Sequence, residues 1–217
     1  MKNLLVINSS PRTIRSHTRR LTDTFAEQWK TKFPDCKIIY RDIGLQPVPH
    51  VCEHWIAGAF KPAEQRSSEE KEALRKSDEY IQELKDSDII IIGAPMYNYS
   101  ITSSLKAYFD QVLRVNETWV LNHDNLLDPY IGQLKNKKLF LLISRGAQGY
   151  EPNGYNEKVN FQTTYLRAVL KMMGIFEVEE ITINGELFGD ENLQKSIAEA
   201  NDHIKSTINK IQSTQNF

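Results

Sequence analysis

The chain has 217 residues, of which 40% are hydrophobic; this is enough for one substantial core and predicts a single domain over residues 1–217. Its 27 basic and 28 acidic side chains give a formal net charge of −1, so neither nucleic acid nor an anionic membrane is an expected partner. The two cysteines match neither a disulfide framework nor a zinc site, so no metal is expected. No apolar run has the length of a signal-peptide core or a membrane span, so a cytoplasmic location is expected.

Short apolar runs alternate with segments that are long enough for a helix. Five runs predict strands, at residues 4–7, 37–40, 89–92, 139–143 and 178–183. The intervening segments predict helices at residues 16–33, 68–85, 102–115, 160–173 and 192–211. Because runs such as 89–92 are continuously apolar, the strands should be covered on both faces. Right-handed crossovers then give a doubly wound, five-stranded parallel sheet in a three-layer α/β/α fold.

The first predicted helix has an amphipathic pattern. Leu21, Phe25 and Trp29 recur at every fourth residue and form one apolar stripe. Arg19 and Arg20 lie on other faces, where charged side chains are expected to be solvated.

Two segments, residues 44–67 and 116–136, are too long for plain connections and are rich in large apolar residues, including Trp55, Phe60 and Trp119. Two explanations remain open for them. They fold onto the surface of their own domain, or they wall a ligand cleft or contact a second subunit.

The loop after the first predicted strand lies where open parallel sheets bind ligands. It lacks the glycines of a dinucleotide-binding motif and the Gly-Lys-Ser/Thr of a P-loop. It does offer hydroxyls and cations at a helix start, namely Ser9, Ser10, Thr13, Ser16, Thr18, Arg15 and His17. This group suits one phosphate dianion, such as that of FMN. The alternative is that Ser16 only caps the helix and that the basic residues are solvated.

The third predicted strand is followed by residues that could hold a flat aromatic ligand, Pro95, Met96, Tyr97, Asn98 and Tyr99. The alternative is a proline-containing turn whose aromatic side chains fill space over the core. A phosphoacceptor receiver domain shares this topology, but it needs an acidic metal pocket at the ends of the first and third strands. The chain has Asn-Ser-Ser and Gly-Ala-Pro at those places, which excludes that class.

These segments resemble those of the flavodoxin-like FMN-dependent NADH azoreductases and NAD(P)H quinone reductases. The resemblance runs from residue 1 to about residue 183 and rests on residues 9–10 with 16–18, 94–99, 105–110 and 144–146. It implies a flavodoxin-like fold, an FMN cofactor, NADH or NADPH as electron donor, a quinone or azo compound as acceptor, and a homodimer.

The resemblance also implies roles for individual residues. The FMN phosphate would be held by Ser10, Ser16, His17 and Thr18. The isoalloxazine ring would be lined by Pro95, Met96, Tyr97, Asn98 and Tyr99, and its pyrimidine edge would lie along Ser144, Arg145, Gly146 and Ala147. No catalytic side chain is required, because the flavin carries the chemistry.

The chain departs from the family pattern at two positions. Family members commonly have a second glycine and a nearby histidine after Ser-Arg-Gly, whereas this chain has Ala147 and Gln148, so no imidazolium charge is available there. Lys61 stands where some members have an arginine, and a lysine offers a point charge in place of a planar fork. Lys61, Gln148 and Trp119 are the residues predicted on the substrate side.

The leading hypothesis is therefore an enzyme that moves two electrons from NAD(P)H to a quinone or azo compound by a ping-pong mechanism. One alternative is a one-electron carrier of the flavodoxin type without a substrate site. Such carriers are strongly acidic, unlike this near-neutral chain. A second alternative is a flavin-free domain that works through its apolar loops.

Overall fold

The computed structural model describes residues 2–189 and 191–214. Within this range the strands, in chain order, are β1 (Leu4–Asn8), β2 (Ile38–Asp42), β3 (Ile89–Pro95), β4 (Trp119–Leu121), β5 (Tyr130–Gly132), β6 (Lys138–Ser144) and β7 (Glu177–Ile183). The α-helices are α1 (His17–Lys32), α2 (Glu53–Ala59), α3 (Ser68–Asp86), α4 (Ser103–Val112), α5 (Phe161–Met173) and α6 (Glu191–Thr214). No helix among the described residues is both long and apolar enough to cross a bilayer.

Five strands form one parallel sheet in the order β2-β1-β3-β6-β7. The chain leaves β1 towards β2 on one side and returns to β3 on the other side. The direction of winding therefore reverses between β1 and β3, where Asn8 pairs with Gly93 at the carboxyl ends of the strands. The predicted doubly wound, five-stranded parallel sheet is confirmed, and its reversal point is where such sheets bind ligands.

The apolar strands are covered on both faces. Leu5 and Ile7 of β1 pack in a cluster with residues of α3, α4 and α5, whereas Leu4 and Val6 pack with residues of α1 and α6. Trp29, from the apolar stripe of α1, is fully buried in the second cluster. The predicted three-layer arrangement and the predicted stripe are both confirmed, because strand residues alternate between two helix layers.

The element boundaries agree with the predictions within three residues. Two helix ends deviate from the prediction by three residues: α6 ends at Thr214 instead of residue 211, and α4 ends at Val112 instead of residue 115. The chain turns there because the amide of Arg114 donates to the Val112 carbonyl at 2.9 Å and to Thr118 Oγ1 at 3.2 Å. Strand β3 continues three residues beyond the prediction, through Pro95.

The long segment at residues 44–67 folds onto its own domain. It contains α2, whose Trp55 is buried against Leu74 and donates its indole N–H to Gln111 Oε1 at 2.8 Å. The outer side of the segment leaves Phe60 71% exposed. The first explanation for this segment therefore holds, while contact with a second subunit stays a prediction.

The long segment at residues 116–136 forms an antiparallel hairpin of β4 and β5. The hairpin is attached to the end of α5, where the amide of Leu134 donates to the Met173 carbonyl at 2.9 Å. The tip of the hairpin carries Leu126 and Leu127, which are 85% and 98% exposed. This segment also folds onto its own domain and keeps an apolar tip free.

Candidate functional site

A cleft of about 840 Å³ lies at the carboxyl edge of the sheet, between the loops that follow β1, β3, β6 and β7. Eleven of the thirteen predicted cofactor residues line it, namely Ser10, Ser16, His17, Pro95, Met96, Tyr97, Asn98, Tyr99, Ser144, Gly146 and Ala147. Because the carboxyl ends of parallel strands meet at one edge, three segments that are distant in sequence converge here.

The amino end of α1 provides hydroxyls and free amides to the cleft. Ser16 is the N-cap, and its hydroxyl accepts from the amide of Arg19 at 3.3 Å and lies 3.2 Å from Thr18 Oγ1. The amides of His17 and Thr18 bind no acceptor within the described chain, as is usual for the first turn of a helix. These groups can bind one anion at the positive end of the helix dipole.

The loop at residues 9–16, here called the phosphate loop, is held from behind by Arg19. The guanidinium donates from Nε to the Arg12 carbonyl and from Nη2 to the Ser10 carbonyl, each at 2.7 Å. It also makes a two-bond ion pair with Asp42, at 2.6 and 2.8 Å. The expectation that Arg19 is solvated is wrong, because the loop turns two carbonyls towards it and its side chain is only 13% exposed.

The rim of the cleft near the phosphate loop is basic. Arg12, Arg15 and His17 all line it. Glu186, from the loop after β7, crosses to form an ion pair with Arg12. Three potential cations therefore face one carboxylate at this rim, which favours an anionic ligand.

His17 makes the stability of the ligand-free protein depend on pH. Burial lowers its pKa below 6.5; Glu186 opposes this effect, whereas Arg20 and Arg12 reinforce it. The unfolded chain therefore binds a proton at His17 before the folded chain does. The stability contributed by neutral His17 is complete above pH 6.5 and is lost as the pH falls from there to the folded pKa. We expect the urea midpoint to fall less between pH 7.5 and pH 5.0 in His17→Asn than in the wild type; parallel pH profiles would contradict this.

The loop after β3 is a tight turn with an unusual backbone. The amide and carbonyl of Tyr97 exchange hydrogen bonds with those of Ser100 at 2.9 Å, and the two residues between them are left-handed, Asn98 with φ of 48° and Tyr99 with φ of 67°. This is the type I′ geometry, in which Asn-Gly is preferred. A left-handed tyrosine costs about 1–2 kcal/mol, and such strain is concentrated at functional sites. Tyr99 lines the cleft, where its ring can contact a ligand.

Tyr99→Gly is expected to stabilise the FMN-free protein by roughly 1 kcal/mol and to weaken FMN binding, because it removes both the strain and the ring. Tyr99→Ala is the matched control, since it removes the ring but keeps the strained backbone. Urea unfolding and FMN titration of both variants separate the two effects. Equal stability of the glycine and alanine variants would show that the turn is not strained.

The loop after β6 presents backbone donors. The amide of Met96 donates to the Ser144 carbonyl at 2.8 Å, which joins this loop to the one after β3. The amide of Leu187 donates to the Gly146 carbonyl at 3.0 Å. Among the described residues, no acceptor is bound to the amides of Gly146 and Ala147. Both residues line the cleft, where their N–H groups can donate to the polar edge of a ring.

Two predicted cofactor residues are not part of the cleft lining. Thr18 is buried behind it, next to Ser16. Arg145 is also buried, and its Nε donates to Gln162 Oε1 at 3.1 Å. Thr18 offers only its amide from this position, and Arg145 can act on the cleft only at a distance through its charge.

The three residues predicted on the substrate side do not line the cleft of this chain. Lys61 forms an ion pair with Glu70, and the Trp119 ring meets the Tyr130 ring edge-on at 5.2 Å between centroids. Gln148 follows the lining residue Ala147 but is not itself part of the lining. Their substrate-side role stays a prediction.

Six further residues line the cleft, Arg12, Arg15, Tyr150, Asn156, Glu186 and Leu187. Of these, only Arg15 belongs to the residues predicted near the anion site, as a neighbouring cation. Glu186 and Leu187 follow shortly after the fifth predicted strand. Their position in the sequence could have predicted that they line the cleft, because the end of every parallel strand lies at this edge. The other three lie in irregular loops, whose fold no periodic pattern predicts.

Comparison with known proteins identifies close relatives. The model of the Flavodoxin_2 family, described as a flavodoxin-like fold, matches residues 2–208. The chain is 42% identical to the FMN-dependent NADH:quinone oxidoreductase 1 of Trichormus variabilis over 211 residues, covering 97% of this chain and 98% of that protein. It is 36% identical to the FMN-dependent NAD(P)H:quinone oxidoreductase 1 of Pseudomonas aeruginosa, covering 94% of this chain and 97% of that protein.

Solved structures agree on the fold. An azoreductase from Bacillus anthracis superposes with a TM-score of 0.86 at 22% identity, covering 97% of this chain and 100% of that one. A second structure, an FMN-dependent NADH-azoreductase from the same species in complex with FMN, gives 0.85 at 19% identity, covering 98% and 100%. The resemblance seen in the sequence is thus confirmed, and the chain belongs to the Flavodoxin_2 family as a homologue of the FMN-dependent NADH:quinone oxidoreductases.

Proposed function

We propose that this chain is an FMN-dependent oxidoreductase that transfers two electrons from NADH or NADPH to quinones and azo compounds. The observation that carries the proposal is the cleft, which combines an anion site at the start of α1 with an aromatic turn and free amide donors. Relatives of nearly the same length, at 36–42% identity, are named as FMN-dependent NADH:quinone and NAD(P)H:quinone oxidoreductases.

The residues at the start of α1 fit the FMN phosphate. The hydroxyls of Ser10 and Ser16 and the amides of His17 and Thr18 would hold its oxygens. Arg12 and Arg15 add positive charge at the rim. Charge-assisted hydrogen bonds of this kind suit a dianion.

The opposite part of the cleft fits the ring system. Pro95, Met96, Tyr97, Asn98 and Tyr99 would line the isoalloxazine, while the amides of Gly146 and Ala147 would donate to its pyrimidine edge. When bound, FMN supplies the chemistry of accepting and donating an electron pair. The side chains position the reactants and exclude water, and protons can come from solvent, so no general acid is assigned.

We further propose a ping-pong order. NAD(P)H and the electron acceptor would occupy the same part of the cleft in turn. The oxidised nicotinamide has to leave before a quinone or azo compound enters. Initial-rate measurements should therefore give parallel lines in double-reciprocal plots; intersecting lines would require both substrates to be bound together.

The test begins with the visible spectrum of protein mixed with FMN and then desalted. We expect retained yellow colour that bleaches on anaerobic addition of NADH or NADPH, and faster NAD(P)H oxidation when menadione is added. Retained flavin that stays oxidised would support the one-electron carrier. A protein that retains no flavin would refute the proposal.

A homodimer is also proposed. The exposed apolar side chains of Phe60, Leu126 and Leu127 lie on the two long segments and suit a subunit contact. A partner chain could then bring Lys61 and Trp119 to the substrate side of the cleft. Light scattering at micromolar concentration should give twice the mass of the chain, and a monomer would refute this arrangement.

The remaining proposals concern the setting of the enzyme. We propose that residues 1–217 form one domain, that its partners are small molecules and a second copy of the chain, with no role for nucleic acid or membranes, and that it works in the cytoplasm. Cys36 and Cys52 are both unpaired, which suits a reducing compartment.

A further inference from the structure

Arg145 is a buried arginine without a counter-ion. The residue is only 5% exposed, yet no carboxylate oxygen of the described residues lies within 4.0 Å of its guanidinium. Arg114 offers a contrast, because it is equally buried but pairs with Asp78 at 2.5 Å and with Glu117 at 3.1 Å. Buried charges in proteins are normally paired. An unpaired one next to a cleft indicates that its partner is a ligand.

The direct contacts of Arg145 are neutral, and the two carboxylates that act on its charge electrostatically, those of Glu180 and Glu151, lie beyond ion-pair distance. Its Nε donates to the neutral amide of Gln162 at 3.1 Å, and its guanidinium carbon lies 5.3 Å from the centre of the Tyr150 ring. Its Nη2 is buried and has no hydrogen-bond partner among the residues that the structure describes. Burial lowers the pKa of Arg145, but an arginine remains protonated at neutral pH.

The position of this charge is fixed relative to the cleft. Arg145 stands between Ser144 and Gly146, which both line the cleft, and Tyr150 lines it too. Gln162 holds the guanidinium and is itself anchored, since its Nε2 donates to the Ala94 carbonyl at 2.9 Å.

A second source of positive potential acts on the same side of the cleft. Gln162 is the second residue of α5, so the guanidinium lies at the positive end of that helix dipole. Two positive sources thus act on the β6 side of the cleft, and the carboxylates of Glu180 and Glu151 offset the charge of Arg145 only from beyond ion-pair distance. A ligand whose negative charge develops at this side would be stabilised by both.

We propose that Arg145 raises the reduction potential of the bound flavin. Its permanent positive charge stabilises the reduced, anionic state of the flavin more than the oxidised, neutral state. This inference rests on the proposed function. Transfer of one hydride from NADH leaves NAD⁺ and adds one negative charge to the bound cofactor, so charge and electrons balance without a further reactant.

The neutral side chain of Gln148 adds no pH-dependent charge on this side of the cleft. A histidine near this position could supply a positive charge that depends on pH, whereas Gln148 is neutral. Arg145 supplies a charge that does not titrate near neutrality. The charge of Arg145 should therefore stay constant between pH 6 and pH 8.

The test compares the Kd of FMN in its oxidised and dithionite-reduced states. In Arg145→Gln and Arg145→Met, binding of reduced FMN should weaken about tenfold more than binding of oxidised FMN. This ratio corresponds to a fall of about 30 mV in the two-electron midpoint potential. Arg145→Lys keeps a positive charge, so its ratio of the Kd for reduced FMN to the Kd for oxidised FMN should lie close to that of the wild type. Arg114→Gln is the matched control: it removes a buried arginine outside the cleft and should leave the ratio unchanged.

Circular dichroism and urea unfolding identify the variants that fold. Two neutral variants of different polarity are included because, if one of them does not fold, the other still tests the proposal. An unchanged ratio in a folded neutral variant that binds FMN would overturn the role of Arg145 while leaving the proposed function intact. Wild-type protein that does not bind FMN would instead refute the proposed function.

Discussion

Substitution of Gly44 by alanine is expected to displace the phosphate loop and to weaken FMN binding about tenfold or more, which is at least about 1.4 kcal/mol of binding free energy. A Cβ atom at this position would lie 2.1 Å from the Ser10 carbonyl oxygen and 2.5 Å from its carbon. Both are backbone atoms, so no side-chain rotation can relieve the clash.

Neither side of this contact can retreat without breaking other bonds. The amide of Gly44 donates to the Asn8 carbonyl at 3.0 Å and to Asp42 Oδ1 at 3.1 Å. On the other side, the Ser10 carbonyl accepts from Arg19 at 2.7 Å. Forced overpacking costs about 1–3 kcal/mol of stability, and here the displaced backbone is the loop that would hold the phosphate.

FMN titration and urea unfolding of Gly44→Ala measure the two effects. Gly58→Ala is the matched control, because a Cβ there would lie 3.0 Å from the side chains of Glu70 and Leu74, away from the cleft. It should keep wild-type FMN affinity. Wild-type affinity in Gly44→Ala would show that the phosphate loop tolerates the shift or does not bind FMN.

The sheet and the two helix layers were predictable because hydrophobic periodicity depends on local sequence. The continuous run of β3 and the four-residue spacing of Leu21, Phe25 and Trp29 each indicate which faces are buried. The convergence of the predicted residues followed from topology, since parallel strands end at one edge. These features need no knowledge of individual contacts.

The remaining features depend on tertiary contacts. Helix α2 has seven residues and no side-chain cap bond, and it is stabilised by burial of Trp55 and its bond to Gln111. A helix this short is unstable alone, so its sequence carries little signal. Gly44 is a lone glycine after a strand, and only the position of the Ser10 backbone reveals why a side chain cannot fit.

Arg19 shows the same limit for charged residues. Its helix position outside the apolar stripe is normally solvent-facing. Whether it is solvated depends on where the loop before the helix directs its carbonyls, which residue types do not determine. Here they point inwards, and an arginine that the pattern places on the surface is the support of the anion site.

Arg19→Lys is expected to weaken FMN binding about tenfold and to lower the stability by roughly 2–3 kcal/mol, because charge-assisted hydrogen bonds to partly buried groups are lost. A lysine keeps the charge, but it cannot pair with both oxygens of Asp42 while it also reaches the carbonyls of Ser10 and Arg12. Arg20→Lys is the adjacent control: Arg20 is exposed and, within the described part of the chain, donates only to the Ile14 carbonyl, so its variant should stay close to wild type.

The pH dependence gives an independent measure of the Arg19–Asp42 pair. Burial by itself raises the pKa of Asp42, but the bonds from Arg19 and from the amides of Leu45 and Gly44 bring it below the usual 3.8. The stabilisation is therefore present above pH 3.8 and is lost as the pH falls through the folded pKa. Urea unfolding between pH 7 and pH 3 should show a smaller loss of stability in Arg19→Lys than in the wild type. Equal losses together with unchanged FMN affinity would mean that Arg19 does not support the phosphate loop.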